Sequence, residues 1–153
     1  MDTLLKGRST EAAVLNAFAQ RDHPVAVPFG DGQPYDLVVD LGTAALRVQC
    51  KTARAYSGGL MFNCRSTDHG RGPASYIGLA DAFGVYFPGN QQVYVVPVLG
   101  TTCTKAILRL EPTRNNQRLR VRMAVDYEID RWSDEELREL CGMRFQAGVE
   151  LAA

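Results

Sequence analysis

Asp36, Gln49 and Lys51 offer a carboxylate, an amide oxygen and an amine within one short stretch of chain. Brought together, they could do chemistry that none does alone. The carboxylate and the amide oxygen are hard ligands of the kind Mg²⁺ prefers. The amine could steady an attacking water or a phosphate. The same residues also fit a plainer role. A half-exposed antiparallel hairpin carries mixed polar side chains on its wet face, and residue types alone leave both readings open.

What would position these groups is a β-hairpin. Residues 35–40 and 45–51 are β-rich runs on either side of Gly42-Thr43. Glycine at the first central position of a two-residue loop suits a type II′ turn. That loop pairs residues whose numbers sum to 85, so Asp36 falls opposite Gln49, with Lys51 as its diagonal neighbour. Alternation puts Asp36, Val38, Asp40, Arg47, Gln49 and Lys51 on one face. Tyr35, Leu37, Val39, Leu46, Val48 and Cys50 take the other, apolar face.

Residues 4–21 have the pattern of an amphipathic helix, with Leu4, Glu11, Leu15 and Phe18 on one stripe. Glu11 therefore faces the protein, where an acid finds either a polar partner at the edge of a core or a metal. Gly7 on that stripe would let another backbone come close. The rest of the chain predicts short strands at 25–27 and 60–64. A second hairpin is expected at 82–87 and 92–98, with Asp81 as a cap or turn former. Residues 105–110 suit an edge strand. Residues 55–59 read as a turn, and 65–75 as a polar, Gly-rich segment with no core-forming residues, either a flexible loop or one that orders on a ligand. Ser133 to Glu136 forms a capping box that opens a helix ending at Gly142.

Pro34-x-Asp36 followed by Gln49-Cys50-Lys51 resembles the PD-(D/E)xK nuclease signature, with Gln in the (D/E) place. Lys6 to Glu11, Pro28 to Asp31, Lys51-Thr52, Asp81 to Tyr86 and Val93 to Val98 follow in order. Together they resemble the branch of that superfamily that contains homing endonucleases encoded in group I introns, over most of residues 1–127. The resemblance implies an α/β fold with a restriction-endonuclease-like core: a mixed β-sheet, a leading N-terminal helix and flanking helices. It also implies Mg²⁺-dependent hydrolysis of phosphodiester bonds in double-stranded DNA, with Mn²⁺ able to substitute. Asp36 would be the main metal ligand, joined by the Gln49 amide oxygen and the Cys50 carbonyl. Glu11 would hold a water or a second metal, and Lys51 would orient the attacking water. A restriction endonuclease, a Holliday-junction resolvase or a catalytically inactive DNA-binding module are alternatives with the same signature.

Length and charge bound these readings. One domain is expected for 153 residues, with a nuclease core over about 1–127 and an acidic helical segment over 128–153. No apolar run approaches a membrane span, and the first residues lack the pattern of a signal peptide, so a cytoplasmic protein, bacterial or organellar, is expected. The four cysteines have no metal-site spacing. Net charge is zero, yet the chain is polarised. Residues 47–75 carry five basic residues against Asp68, and 101–125 carry six against Glu111, whereas 126–153 carry eight acids against three arginines. Two basic segments and an acidic one fit a one-sided binding surface. Arg47, Arg54, Arg65, Arg71, Arg114, Asn115, Asn116 and Arg118 are the candidate DNA contacts. A small domain with one metal site cuts one strand, so a double-strand break calls for a homo-oligomer, a dimer or a dimer of dimers. Leu137 and Leu140 would then be free for subunit contacts.

Overall fold

The computed structural model describes residues 2–68, 72–101, 104–113, 115 and 121–141. Helix α1 (Thr3–Ala19) starts with Asp2 as N-cap, its side chain accepting the Leu4 N–H. Ten strands follow among the described residues: β1 (Val25–Ala26), β2 (Leu37–Asp40), β3 (Ala45–Thr52), β4 (Arg54–Tyr56), β5 (Gly59–Asn63), β6 (Arg65–Asp68), β7 (Gly72–Ser75), β8 (Ala82–Phe87), β9 (Gln92–Pro97) and β10 (Lys105–Arg109). Short 3-10 helices occur at Val98–Gly100, Ala124–Tyr127 and Ile129–Arg131. A second α-helix, α2, occupies 134–141.

The main sheet has the order β1-β2-β3-β8-β9. It is mixed, because β3 and β8 run parallel while the other pairs are antiparallel. The interior strand β8 is the apolar run that burial on both faces demands. One face packs against α1 and α2, where Val14 and Phe18 meet Leu37, Val39, Leu46, Val48 and Leu137. The other face packs against a second sheet, β10-β5-β4, through Phe83, Val85, Tyr94, Leu60, Phe62 and Leu108. The layers are therefore helix, sheet and sheet. β4 and β5 turn at Ser57-Gly58, both with positive φ, the pattern of a type I′ loop. The expected turn at 55–59 thus shrinks to two residues.

The hairpin register is the one expected: Leu37 pairs with Val48 and Val38 with Arg47. Gly42 takes a φ of +85° and Thr43 does not enter the positive region, as a type II′ loop requires. The ladder ends at Leu37, however. The Asp36 N–H turns to the Val48 carbonyl at 2.8 Å, as at a β-bulge, and a bulge exchanges the two faces of the strand beyond it. Tyr35 consequently lies on the Arg47 side, with that guanidinium 5.3 Å over its ring, and packs against the second core. It does not join Leu37 on the apolar face.

Other expectations need correction. The buried stripe of α1 is Thr10, Val14 and Phe18, while Leu4 is exposed and nothing approaches Gly7. Within the expected loop, residues 65–68 and 72–75 form an antiparallel ribbon, β6 with β7, pairing Arg65 with Ser75 and Asp68 with Gly72. Backbone pairing holds it, so it needed no apolar core of its own. Leu137 and Leu140 are in the first core and unavailable to a second subunit. The Ser133–Glu136 capping box forms as expected, with reciprocal bonds of 2.8 and 3.1 Å. It opens α2, which is tied to the hairpin by Arg138 donating to the Leu41 carbonyl. Gly142 lies outside the described residues.

Candidate active site

The bulge at Asp36 creates the site. The Cys50 N–H donates to Asp36 Oδ2 at 2.8 Å, so a backbone donor of β3 fixes the carboxylate. The next two alternating positions of β3 send Gln49 and Lys51 toward the second layer. The Gln49 amide lies beside the Cys50 carbonyl, to which its Nε2 donates at 3.4 Å. Lys51 Nζ donates to the Tyr76 hydroxyl at 3.2 Å and sits 4.7 Å over the same ring. From the other side of the sheet, Thr10 of α1 bonds Thr52 at the end of β3, Oγ1 to Oγ1 at 2.6 Å. That bond pins the helix turn carrying Glu11 to the strand end carrying Lys51.

The electrostatics couple these groups to one another. Burial raises the Asp36 carboxyl above the ordinary aspartate range, against the Cys50 N–H bond and the Lys51 charge, which pull it down. Burial also raises Glu11, and the charge of Asp36 raises it further, with Arg8 opposing. Burial lowers the Lys51 ammonium, opposed by Asp36. The Cys50 thiol is pushed well up by burial and then by both carboxylates. It therefore stays protonated and makes a poor nucleophile.

Two carboxylates raised chiefly by burial, beside a neutral amide and a peptide carbonyl, form a hard oxygen donor set. Among the described residues no group of three or more His, Cys, Asp or Glu could hold a metal ion. A cation here would need the neutral oxygens of Gln49 and Cys50 in addition to Asp36 and Glu11. An all-oxygen donor set of this kind suits a hard divalent cation better than a thiolate-and-imidazole site would.

A stability prediction follows from the raised carboxyls. A carboxyl whose folded pKa exceeds its unfolded value binds its proton more tightly in the folded state. Its contribution to stability is complete below the unfolded pKa and is lost as pH rises through the folded pKa. In EDTA, Asp36→Asn should match the wild-type melting temperature near pH 3, below the unfolded pKa, and exceed it at pH 8, where burial disfavours the ionised Asp36 carboxylate. Thermal melts across that range check it. Equal melting temperatures at pH 8 would show that the Asp36 charge costs nothing.

The structure brings Asp36, Gln49, Cys50, Lys51 and Glu11 together around the end of β3. Arg47 is less free than its sequence position suggested. Its side chain stacks on Tyr35, and its N–H donates to the buried Asp81 carboxylate at 2.8 Å. Asp81 thus acts as the expected cap, locking the β3–β8 junction. Arg54 is exposed on β4, Arg65 is half-buried at the start of β6, and Asn115 is exposed. Arg71, Arg114, Asn116 and Arg118 lie outside the described residues. Sequence reasoning missed Tyr76 and Thr52. Nothing in local spacing marks Tyr76, which is brought to Lys51 by the ribbon that precedes it.

Residues 1–130 match a family model described as PD-(D/E)XK endonuclease. Among solved structures, a bacterial homing endonuclease, I-Ssp6803I, is similar with a TM-score of 0.66 and 21% identity, over 95% of this chain and 98% of that one. At that identity the likeness is one of fold. No curated protein matches the chain.

Proposed function

The chain belongs to the PD-(D/E)XK endonuclease family, and from that premise we propose that it hydrolyses phosphodiester bonds of double-stranded DNA in a Mg²⁺-dependent, sequence-specific reaction of the homing-endonuclease type. The observation that carries this reading is the Asp36 carboxylate, fixed by the Cys50 N–H, on the strand that also presents Gln49 and Lys51. Asp36, the Gln49 amide oxygen and the Cys50 carbonyl would hold the ion, with Glu11 holding a water or a second ion. When bound, Mg²⁺ supplies Lewis-acid stabilisation and a stronger nucleophile. Lys51 orients the attacking water and offsets the charge that builds on the phosphorus oxygens. Burial keeps that charge strong by excluding competing water.

The DNA substrate is supported by local charge. Arg54, Tyr56, Lys105 and Ile107 are exposed on the outer face of the second sheet, and its three strands contain no acid. Arginine suits guanine edges, and an exposed apolar side chain suits a thymine methyl. Cutting both strands requires two such sites, so the active form is a homo-oligomer acting on a roughly palindromic target. No helix among the described residues is long and apolar enough to cross a membrane.

The test is cleavage of a randomised duplex library with Mg²⁺ and with EDTA. Sequencing should recover a pseudo-palindromic consensus in Mg²⁺ only. Cleavage that follows branched structure regardless of sequence would instead identify a resolvase, and no cleavage at all a passive binder. Gln49 adds a sharper expectation. Gln49→Glu restores a full charge to the donor set, so the Mg²⁺ concentration giving half-maximal cleavage should fall about tenfold, within the range by which ligand changes alter metal affinity. An unchanged midpoint would remove Gln49 from the ion's ligands.

A further inference from the structure

Lys51 has no carboxylate within ion-pair distance among the described residues. The contacts its ammonium makes are instead with one aromatic residue, Tyr76: a hydrogen bond to the hydroxyl at 3.2 Å and the ring face at 4.7 Å. A half-buried ammonium loses solvation, and a ring face returns part of that loss without neutralising the charge. A carboxylate partner would have neutralised it and competed with phosphate. Tyr76 is itself held. Its ring meets Phe83 edge-on, with centroids 5.6 Å apart and planes at 90°. Phe83 is the parallel partner of Gln49. The Tyr76 carbonyl accepts the N–H groups of Leu79 and Ala80.

We propose that Tyr76 is the positioning residue for Lys51: its ring and hydroxyl hold the ammonium where the phosphate charge develops. Tyr76 does not touch the substrate and acts through Lys51. It directly follows strand β7, so the ribbon β6–β7 supplies the support for the site's cation. The proposal rests on the nuclease reading of Lys51 given above.

The experiment compares Tyr76→Phe, which keeps the ring and removes the hydroxyl, with Tyr76→Leu, which removes both. Single-turnover cleavage at saturating Mg²⁺ should fall about 10-fold in Tyr76→Phe and about 100-fold in Tyr76→Leu, the scale on which a misplaced catalytic group costs rate. Affinity for the same duplex in Ca²⁺ and the melting temperature of Tyr76→Phe should stay at wild-type values. A structural role would move those two measurements first. The second readout is independent of cleavage. Carbon-13 labelled lysine should show a ring-current shift at Lys51 that persists in Tyr76→Phe and vanishes in Tyr76→Leu. Wild-type cleavage rates in both variants, or a Lys51 signal unmoved by Tyr76→Leu, overturn the proposal. Absence of cleavage by the wild-type protein would instead overturn the nuclease reading, with the ring-current result still deciding whether Tyr76 holds Lys51.

Discussion

Asp36→Ala is expected to cut duplex DNA at least about a thousandfold more slowly than the wild-type protein, while binding the same duplex in Ca²⁺ with nearly unchanged affinity. The magnitude follows from removing a group that acts mainly on the transition state. Binding survives because phosphate and base contacts spread over many side chains elsewhere. Folding survives too, because the substitution removes a half-buried carboxylate whose ionisation burial disfavours. Its cost is the Cys50 N–H left without its 2.8 Å acceptor, and Asp36→Asn restores an acceptor there. Both variants should therefore be inactive while differing in stability. Lys51→Ala should reproduce the loss of cleavage by a different route, since the ammonium leaves and the carboxylate stays. Wild-type rates in Asp36→Ala would falsify the assignment of the site. Loss of binding together with cleavage in Asp36→Ala would place its role in DNA contact.

The hairpin that builds the site was legible because its information is local. A two-residue loop fixes register, and period-two alternation fixes which side chains share a face. The pairing of Leu37 with Val48 could be counted from Gly42. The bulge at Asp36 could not be counted. It depends on β3 offering the Cys50 N–H to a side chain, a choice made by packing and not by spacing. Tyr35 consequently lies on the face opposite to the one that alternation predicts. Helix α1 was legible as a helix but not in its orientation. Leu4 looks like part of the apolar stripe, yet the helix packs on the sheet from Thr10 onward, through Val14 and Phe18 with Leu15 and Ala17 beside them, and nothing in the helix says how far the sheet extends. The ribbon β6–β7 is invisible in the sequence for the opposite reason. Its strands pair through the backbone, which leaves no hydrophobic signature. Tyr76 was hidden with it, because its partner is 25 residues away in sequence. Leu137 and Leu140 look alike whether they fill a core or an interface, and the core claims them.

Gly84→Ala is expected to destabilise the protein by about 1–3 kcal/mol, lowering the melting temperature by a few degrees per kcal/mol, and to slow cleavage from a position that touches no substrate. A glycine inside an interior strand weakens it by roughly 0.5–1 kcal/mol relative to alanine, so this one is retained for space. A Cβ at Gly84 would lie 2.6 Å from Val14 Cγ1 and 2.9 Å from Val48 Cγ1. Both valines are fully buried, and β-branched side chains have little rotamer freedom with which to yield. The shift must be taken up by α1 as a body. Glu11 is one turn before Val14 on that helix, and Thr10 ties the same turn to Thr52. Moving α1 off β8 therefore moves a carboxylate relative to Asp36, and small displacements of such groups are costly in rate. The compensating change is specific. Val14→Ala alone opens a void beneath the helix and should also destabilise the protein. Combined with Gly84→Ala, it clears the two γ-carbons of Val14 that the new methyl meets, leaving the contact with Val48. The double variant should then be more stable, and faster, than the sum of the single effects allows, with a coupling of about 1 kcal/mol in urea melts. Strict additivity would mean that helix and strand do not meet at Gly84 as tightly as this geometry requires.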